Sequence, residues 1–119
     1  MTKKIVILLM AAFFFIVVFN NNAWCAYMDG TTLAGYWHSF QKWQAEQTNE
    51  TEKARVMMFL GYVMGVVDAN GNALYIPGDV SAGKLAIVVG RYLDTHPNEL
   101  QQSGSTLVEK AIQQAYLKK

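Results

Sequence analysis

Cysteine is nearly missing from this chain of 119 residues: its one copy is Cys25, and there are only two prolines and two histidines. A lone cysteine excludes an intrachain disulfide framework. Zinc sites built from four cysteines, or from two cysteines and two histidines, are excluded with it. No HExxH and no Asp-rich calcium loop occurs, so the usual hydrolase and EF-hand readings lack their ligands. An excess of one charge is also lacking. Residues 27–119 hold eight Lys/Arg against nine Asp/Glu, a balance of −1, with no basic stripe. That removes the electrostatic footprint of a nucleic-acid binder. No cofactor, metal or nucleic acid is expected.

What the chain does have at its start is apolar. Lys3 and Lys4 precede the unbroken apolar run Ile5–Phe19, and a polar "NNNAWCA" follows. This is the layout of a secretory signal peptide. The run is shorter than the ~20 residues a membrane-spanning helix needs. The expected organisation is a signal peptide over 1–25 and a single all-α domain over 26–119. Cleavage after Cys25 puts Ala23 three residues back, whereas cleavage after Ala26 puts bulky Trp24 there; the boundary falls within 23–26. An uncleaved N-terminal anchor is the alternative. Export to the periplasm is the preferred reading, with no membrane attachment after cleavage. A cysteine-free exported domain of about 94 residues must then be stabilised by packing or self-association.

Four helical segments follow from apolar spacing. The first starts near Asp29 or Thr31, with Leu33, Tyr36, Trp37, Phe40 and Trp43 on one stripe. "QTNETE" breaks it, and Thr51 is the expected cap of the second, with Glu52 in its first turn. That second helix runs to about Ala69 and has no charge from Val56 to Val67. A helix apolar round most of its circumference sits at the centre of a bundle or is covered by a partner. Gly61 and Gly65 lie one turn apart, a tight packing point or a dimer contact. Met57, Gly61, Met64 and Gly65 are the candidate self-association face. Ser81 caps the third helix, whose stripe is Leu85, Val88, Val89, Tyr92 and Leu93, and Pro97 ends it. The last helix begins after Ser103 or Ser105, with Glu109 near the capping-box position and a stripe of Leu107, Val108, Ala111, Ile112, Ala115 and Tyr116. The fold class is all-α: a small helical bundle of four main helices, expected as a homodimer.

Catalytic equipment is sparse. His38 projects away from the first stripe and reads as a solvent-facing or packing side chain. His96 stands near a helix C-terminus, where an imidazolium meets the dipole favourably. The acids Asp68, Asp79, Asp94 and Glu99 are scattered, with no pair for acid–base work. An enzyme is not expected.

One connection stands out. "DANGNALYIPGD", residues 68–79, sets Leu74, Tyr75 and Ile76 within polar turn chemistry, with Gly71 available for a positive φ at the helix stop. Two readings stay open. The three residues fold back as a lid on the core, or the loop is a wedge that exposes Asn72, Tyr75 and Asp79. A pre-formed loop loses little entropy on entering a partner's cleft, and tyrosine often dominates interface energies.

With these residues laid out, the pieces "FLGYVMGVVDA" (59–69), "IPGDVSAGKLAIVVGRYLDTHPNEL" (76–100) and "STLVEKAIQQAYL" (105–117) come in an order that resembles the amidase immunity proteins of type VI secretion systems, the Rap/Tai group. The resemblance implies a periplasmic helical homodimer that binds a peptidoglycan amidase effector, a papain-like Cys/His hydrolase, and covers its active-site cleft. By the same resemblance, the inserted element corresponds to residues 70–80, with Asn70, Asn72, Leu74, Tyr75, Ile76 and Asp79 as the effector-binding residues. Many relatives carry cysteines near the positions of Phe59–Leu60 and of Tyr75. Here those positions are apolar, so any such disulfide is absent, and packing of Tyr75 on Phe59 is the expected substitute. The runner-up function is a periplasmic helical chaperone or small-ligand carrier that uses the 56–67 helix and the Trp37/Trp43 stripe.

Overall fold

Each helix after residue 27 starts at a short polar side chain turned back onto the backbone. Asp29 Oδ1 accepts from the Thr32 N–H at 2.8 Å, and Asn49 Oδ1 from Glu52 at 2.9 Å. Ser81 Oγ accepts from Lys84 and Ser103 Oγ from Thr106, both at 3.3 Å. Each satisfies one of the amides that a helix start leaves without an intrahelical acceptor. Ser81 is the cap the sequence predicts, and the alternatives at the first and last helix resolve to Asp29 rather than Thr31 and Ser103 rather than Ser105. The second differs: Asn49, not Thr51, is the cap, which places both Glu50 and Glu52 in the first turn. Asn is the stronger capping residue. With Ser103 as cap the third helical position is Thr106, so Glu109 closes no capping box.

The structure, a computed structural model, describes residues 2–19 and 27–117; the expected cleavage positions, 23–26, lie outside the described residues. The helices are α1 (Thr2–Phe19), α2 (Gly30–Gln44), α3 (Glu50–Ala69), α4 (Ala82–Thr95) and α5 (Gly104–Ala115), with a short 3-10 turn at Pro97–Glu99. No strand occurs among the described residues, only an isolated bridge between Asp29 and Ser103. The all-α expectation holds. Among the described residues no helix is long and apolar enough to cross a membrane.

α2 and α3 pack against each other as a hairpin, α4 lies on α5, and α3 touches both. Leu33, Trp37 and Phe40 of α2 meet Phe59 and Val63 of α3, Val89 and Leu93 of α4, and Leu107, Val108 and Ile112 of α5 in one core. Phe59 is fully buried, and its ring neighbours are Trp37 and Phe40, at 5.9 and 5.8 Å between centroids. The expected Tyr75–Phe59 packing is therefore replaced by an α2–α3 aromatic cluster. Trp43 and Ala115, each near a helix end, leave their stripes and are exposed.

Two close approaches fix the helix angles. A Cβ on Gly90 would overlap the Trp37 indole, so α4 crosses α2 with only a hydrogen between backbone and ring. The indole is held from its other edge, where Nε1 donates to Asp94 Oδ2 at 2.9 Å. A Cβ on Gly104 would lie 2.9 Å from the Tyr62 hydroxyl oxygen. Neither glycine has a positive φ; what they supply is the missing side chain.

The α2–α3 turn is built without glycine. Glu46 adopts φ 59°, the Glu46 N–H reaches the Trp43 carbonyl at 3.1 Å, and the Gln47 N–H reaches that of Lys42 at 2.8 Å. These are the paired bonds of a Schellman stop. Across the turn Lys42 Nζ meets Glu52 Oε1 at 3.1 Å. The buried Ser39 hydroxyl and then Lys42 hold the Glu52 carboxyl below the usual range. With Ser39 turned to the Gly35 carbonyl, at a long 3.4 Å, Glu52 Oε2 is buried without a partner.

At the α4–α5 corner, Glu99 joins three elements. Its Oε1 accepts from Lys110 Nζ at 2.7 Å and its Oε2 from the Tyr92 hydroxyl at 2.7 Å. The Lys110 hydrogen bond, then that of Tyr92, lowers the Glu99 carboxyl below its ordinary value of 4.5. Desolvation, and then the Glu99 hydrogen bond, pushes the Tyr92 phenol up to about 12. A carboxyl with a lowered folded value stabilises the fold above its unfolded value, and that contribution is lost as pH falls through the folded one. A raised phenol stabilises below 10.0 and loses that as pH rises through about 12. Glu99→Gln is thus expected to melt earlier than the parent at neutral pH, with the gap closing as pH drops below 4.5. Parallel melts at several pH values check this, and a gap of constant size would refute the role of ionised Glu99.

Candidate functional site

α3 stops because Asn70 replaces its next turn. The Asn70 N–H reaches the Val66 carbonyl at 3.1 Å, and its side-chain Nδ2 donates to the same oxygen at 2.9 Å. Gly71 keeps a negative φ, so the helix stop rests on an asparagine side chain rather than on the expected left-handed glycine. The Asn70 carbonyl then accepts the amides of Ala73 (2.9 Å) and Leu74 (3.0 Å), and Val80 closes back on Pro77 at 3.1 Å. Two turns therefore bracket the irregular stretch Tyr75–Pro77.

Leu74 is 6% exposed and belongs to the core, Tyr75 is 58% exposed, and Ile76 is half-buried against the core. The lid and wedge readings thus divide by residue. Leu74 and Ile76 tie the loop down, and Tyr75 stands off it. Asn72 and Asp79 are exposed and Asn70 is half-buried in its capping role. Of the predicted set, Asn72, Tyr75 and Asp79 are exposed, whereas Leu74 and Ile76 pack against the core.

The second predicted surface lies along α3. Val56, Phe59, Val63 and Val66 face the core. Met57 is 65% exposed, Met58, Gly61 and Gly65 are exposed, and Met64 is half-buried. Open space lies over the Cα atoms of Gly61 and Gly65. They floor a groove of about 420 Å³ that runs between Tyr62 and Ala69 to Ser105 of α5. At the other end of α3, Trp43, Lys53, Val56, Met57 and Leu60 enclose an apolar hollow of about 300 Å³. Spacing alone gave no signal for that hollow, because it forms where α2 ends and Trp43 leaves the core.

No group of three or more metal-ligating side chains occurs among the described residues. His38 is exposed, its Nδ1 3.1 Å from Gln41 Oε1. His96 caps α4, stacks on Tyr92 with centroids 3.8 Å apart, and donates from Nδ1 to the Tyr92 carbonyl at 2.8 Å. Neither imidazole meets a nucleophile and a carboxylate in a triad. The loop presents an exposed phenol, amide and carboxylate, at Tyr75, Asn72 and Asp79.

No curated protein and no solved structure matches the chain. The family model described as Rap1a immunity proteins does match, over residues 22–116, which takes in all four helices of the bundle and the loop between α3 and α4. By that match the chain belongs to the Rap1a immunity protein family.

Proposed function

We propose that this chain is a periplasmic immunity protein of a type VI secretion system that inhibits a peptidoglycan amidase by filling its Cys/His cleft with the loop at residues 70–80. Residues 1–25 serve as its signal peptide and 26–119 as the inhibitory domain. It performs no chemistry of its own; inhibition is steric. The observation that carries the reading is the exposed Tyr75 on a loop braced by buried Leu74, in a chain of an immunity family. Asn70 shapes the loop, Asn72, Tyr75 and Asp79 touch the effector, and Leu74 and Ile76 hold the backbone that presents them. Self-association runs through the α3 face of Met57, Met64, Gly61 and Gly65, where the open glycines let a second helix approach closely.

Mixing the mature chain with the amidase encoded beside its gene is expected to give a stable complex in which peptidoglycan hydrolysis is suppressed. Sedimentation of that complex reads the copy number. A free-running amidase in the presence of excess chain would sink the proposal. The chaperone or carrier reading rests on the exposed Met57, Met58 and Trp43 and would instead require binding of apolar dyes to that face.

A further inference from the structure

We infer that Asn70–Gly71 is a self-modifying site: Asn70 deamidates through the Gly71 nitrogen, and the product takes apart the first turn that braces the loop. The modification stands on the local geometry alone; its effect on inhibition rests on the effector-binding reading above.

Of the chain's asparagines, only Asn70 precedes a glycine, so only there does no Cβ shield the following amide nitrogen. Among the described residues the Gly71 N–H donates to no backbone carbonyl. Gly71 is exposed, and residues 68–73 line a polar cup of about 230 Å³, which lets water and hydroxide reach the pair. Once a base takes its proton, the Gly71 nitrogen attacks Asn70 Cγ. The new N–C bond closes a cyclic imide, the Cγ–Nδ2 bond breaks, and ammonia leaves. Water then opens the imide at either carbonyl, giving aspartate or isoaspartate. Water is consumed and ammonia released, with no change of oxidation state. Asn70 cannot change in this way without cost to the loop. Its Nδ2 donates to the Val66 carbonyl at 2.9 Å, and its own carbonyl accepts from Ala73 and Leu74 at 2.9 and 3.0 Å. Aspartate loses the donor and sets a carboxylate against the Val66 carbonyl, at a helix end whose dipole already opposes Asp68. Isoaspartate also reroutes the main chain through Cβ, so the carbonyl that held Ala73 and Leu74 becomes a free carboxylate. Tyr75 follows directly, and its presentation depends on that turn.

Ageing the mature chain in mildly alkaline buffer tests this, with mass spectrometry of the fragment spanning residues 70–71 to read the amide-to-acid change. The parent is expected to convert at Asn70, and Gly71→Ala at least about tenfold more slowly, because a methyl then shields the nitrogen. Alanine fits there: Gly71 has a negative φ, and a Cβ would meet only the Asp68 and Val67 carbonyl oxygens, at 3.8 Å. Gly71→Ala is therefore expected to melt within about 2 °C of the parent. Asn70→Asp, which makes the aspartate product directly, is expected to melt about 4–8 °C below the parent. Aged parent is expected to inhibit the amidase encoded beside its gene about tenfold less well than fresh parent, whereas aged and fresh Gly71→Ala inhibit alike. An Asn70 that stays intact through ageing would show that the capped turn shields Cγ, and the inference is wrong. Conversion without loss of inhibition would overturn the dependence of the loop on that turn. If fresh parent leaves the amidase running, the inhibitor reading falls, and the mass and melting readouts still decide the modification.

Discussion

Gly90→Ala is expected to destabilise the bundle by about 3 kcal/mol, near the upper end for overpacking a core, and to lower the melting temperature of a domain this size by roughly 12–24 °C. The added methyl has nowhere to go. It falls on the fused edge of the Trp37 indole, the part of the ring that rotamer changes move least. The ring cannot slide away, because it stacks on Phe40 at 5.6 Å and its Nε1 is tied to Asp94 of the same helix that carries Gly90. Relief requires α4 to back off α2, which opens the packing of Val89 and Leu93 as well. Against a total stability of about 5–15 kcal/mol, that loss is a large share. A thermal melt followed by far-ultraviolet circular dichroism reads it. A variant that melts within about 2 °C of the parent would show that α4 and α2 are not in this contact in solution.

Tyr75→Ala is expected to weaken effector inhibition by about 30-fold or more, the loss of a hot-spot side chain of about 2 kcal/mol, and to leave the melt nearly unchanged. Leu74→Ala is expected to do the reverse in origin: about 2–4 kcal/mol of stability disappears with the buried side chain. Any loss of inhibition then follows from a slackened loop. The neighbours differ because one ring is 58% exposed and the other side chain 6%. Inhibition assays with melts on the same preparations separate display from anchoring. If Tyr75→Ala inhibits as well as the parent, the effector surface lies elsewhere, and the α2–α3 turn at residues 44–49 is the next place to look.

Much of the fold is legible in the spacing of apolar residues. Leu33, Trp37 and Phe40 recur at intervals of four and three, and Leu85, Val89 and Leu93 at intervals of four; all six are buried. Caps are legible where one polar residue stands before a stripe, as at Ser81. Where several compete, as in "QTNETE", the choice between Asn49 and Thr51 depends on where α2 releases the chain. Contacts between helices are not legible. Gly90 reads as a weak point in a helix, and only the facing indole explains its place. The loop was legible as unusual, since three apolar residues interrupt polar turns, but composition could not say which of them point inward. That sorting comes from how the flanking turns seat the stretch between them, with Leu74 and Ile76 packed on the core and Tyr75 left outside. The apolar circumference of α3 likewise did not reveal which side its own bundle would leave uncovered.

The short pairing of Asp29 with Ser103 also bears on when this protein can fold. The Gly30 N–H bonds the Gln102 carbonyl at 3.0 Å, and the Gly104 N–H bonds that of Met28 at 2.8 Å, so the start of α2 is completed only by residues at the start of α5. Closing a loop of that length costs conformational entropy before any packing offsets it. A chain delivered N-terminus first, whether from a ribosome or through a translocation pore, has nothing to pair residues 28–30 with until its last helix follows. Up to that moment α2, α3 and α4 can meet, but the start of α2 lacks the α5 residues that complete it, so the native bundle closes only when the last helix arrives.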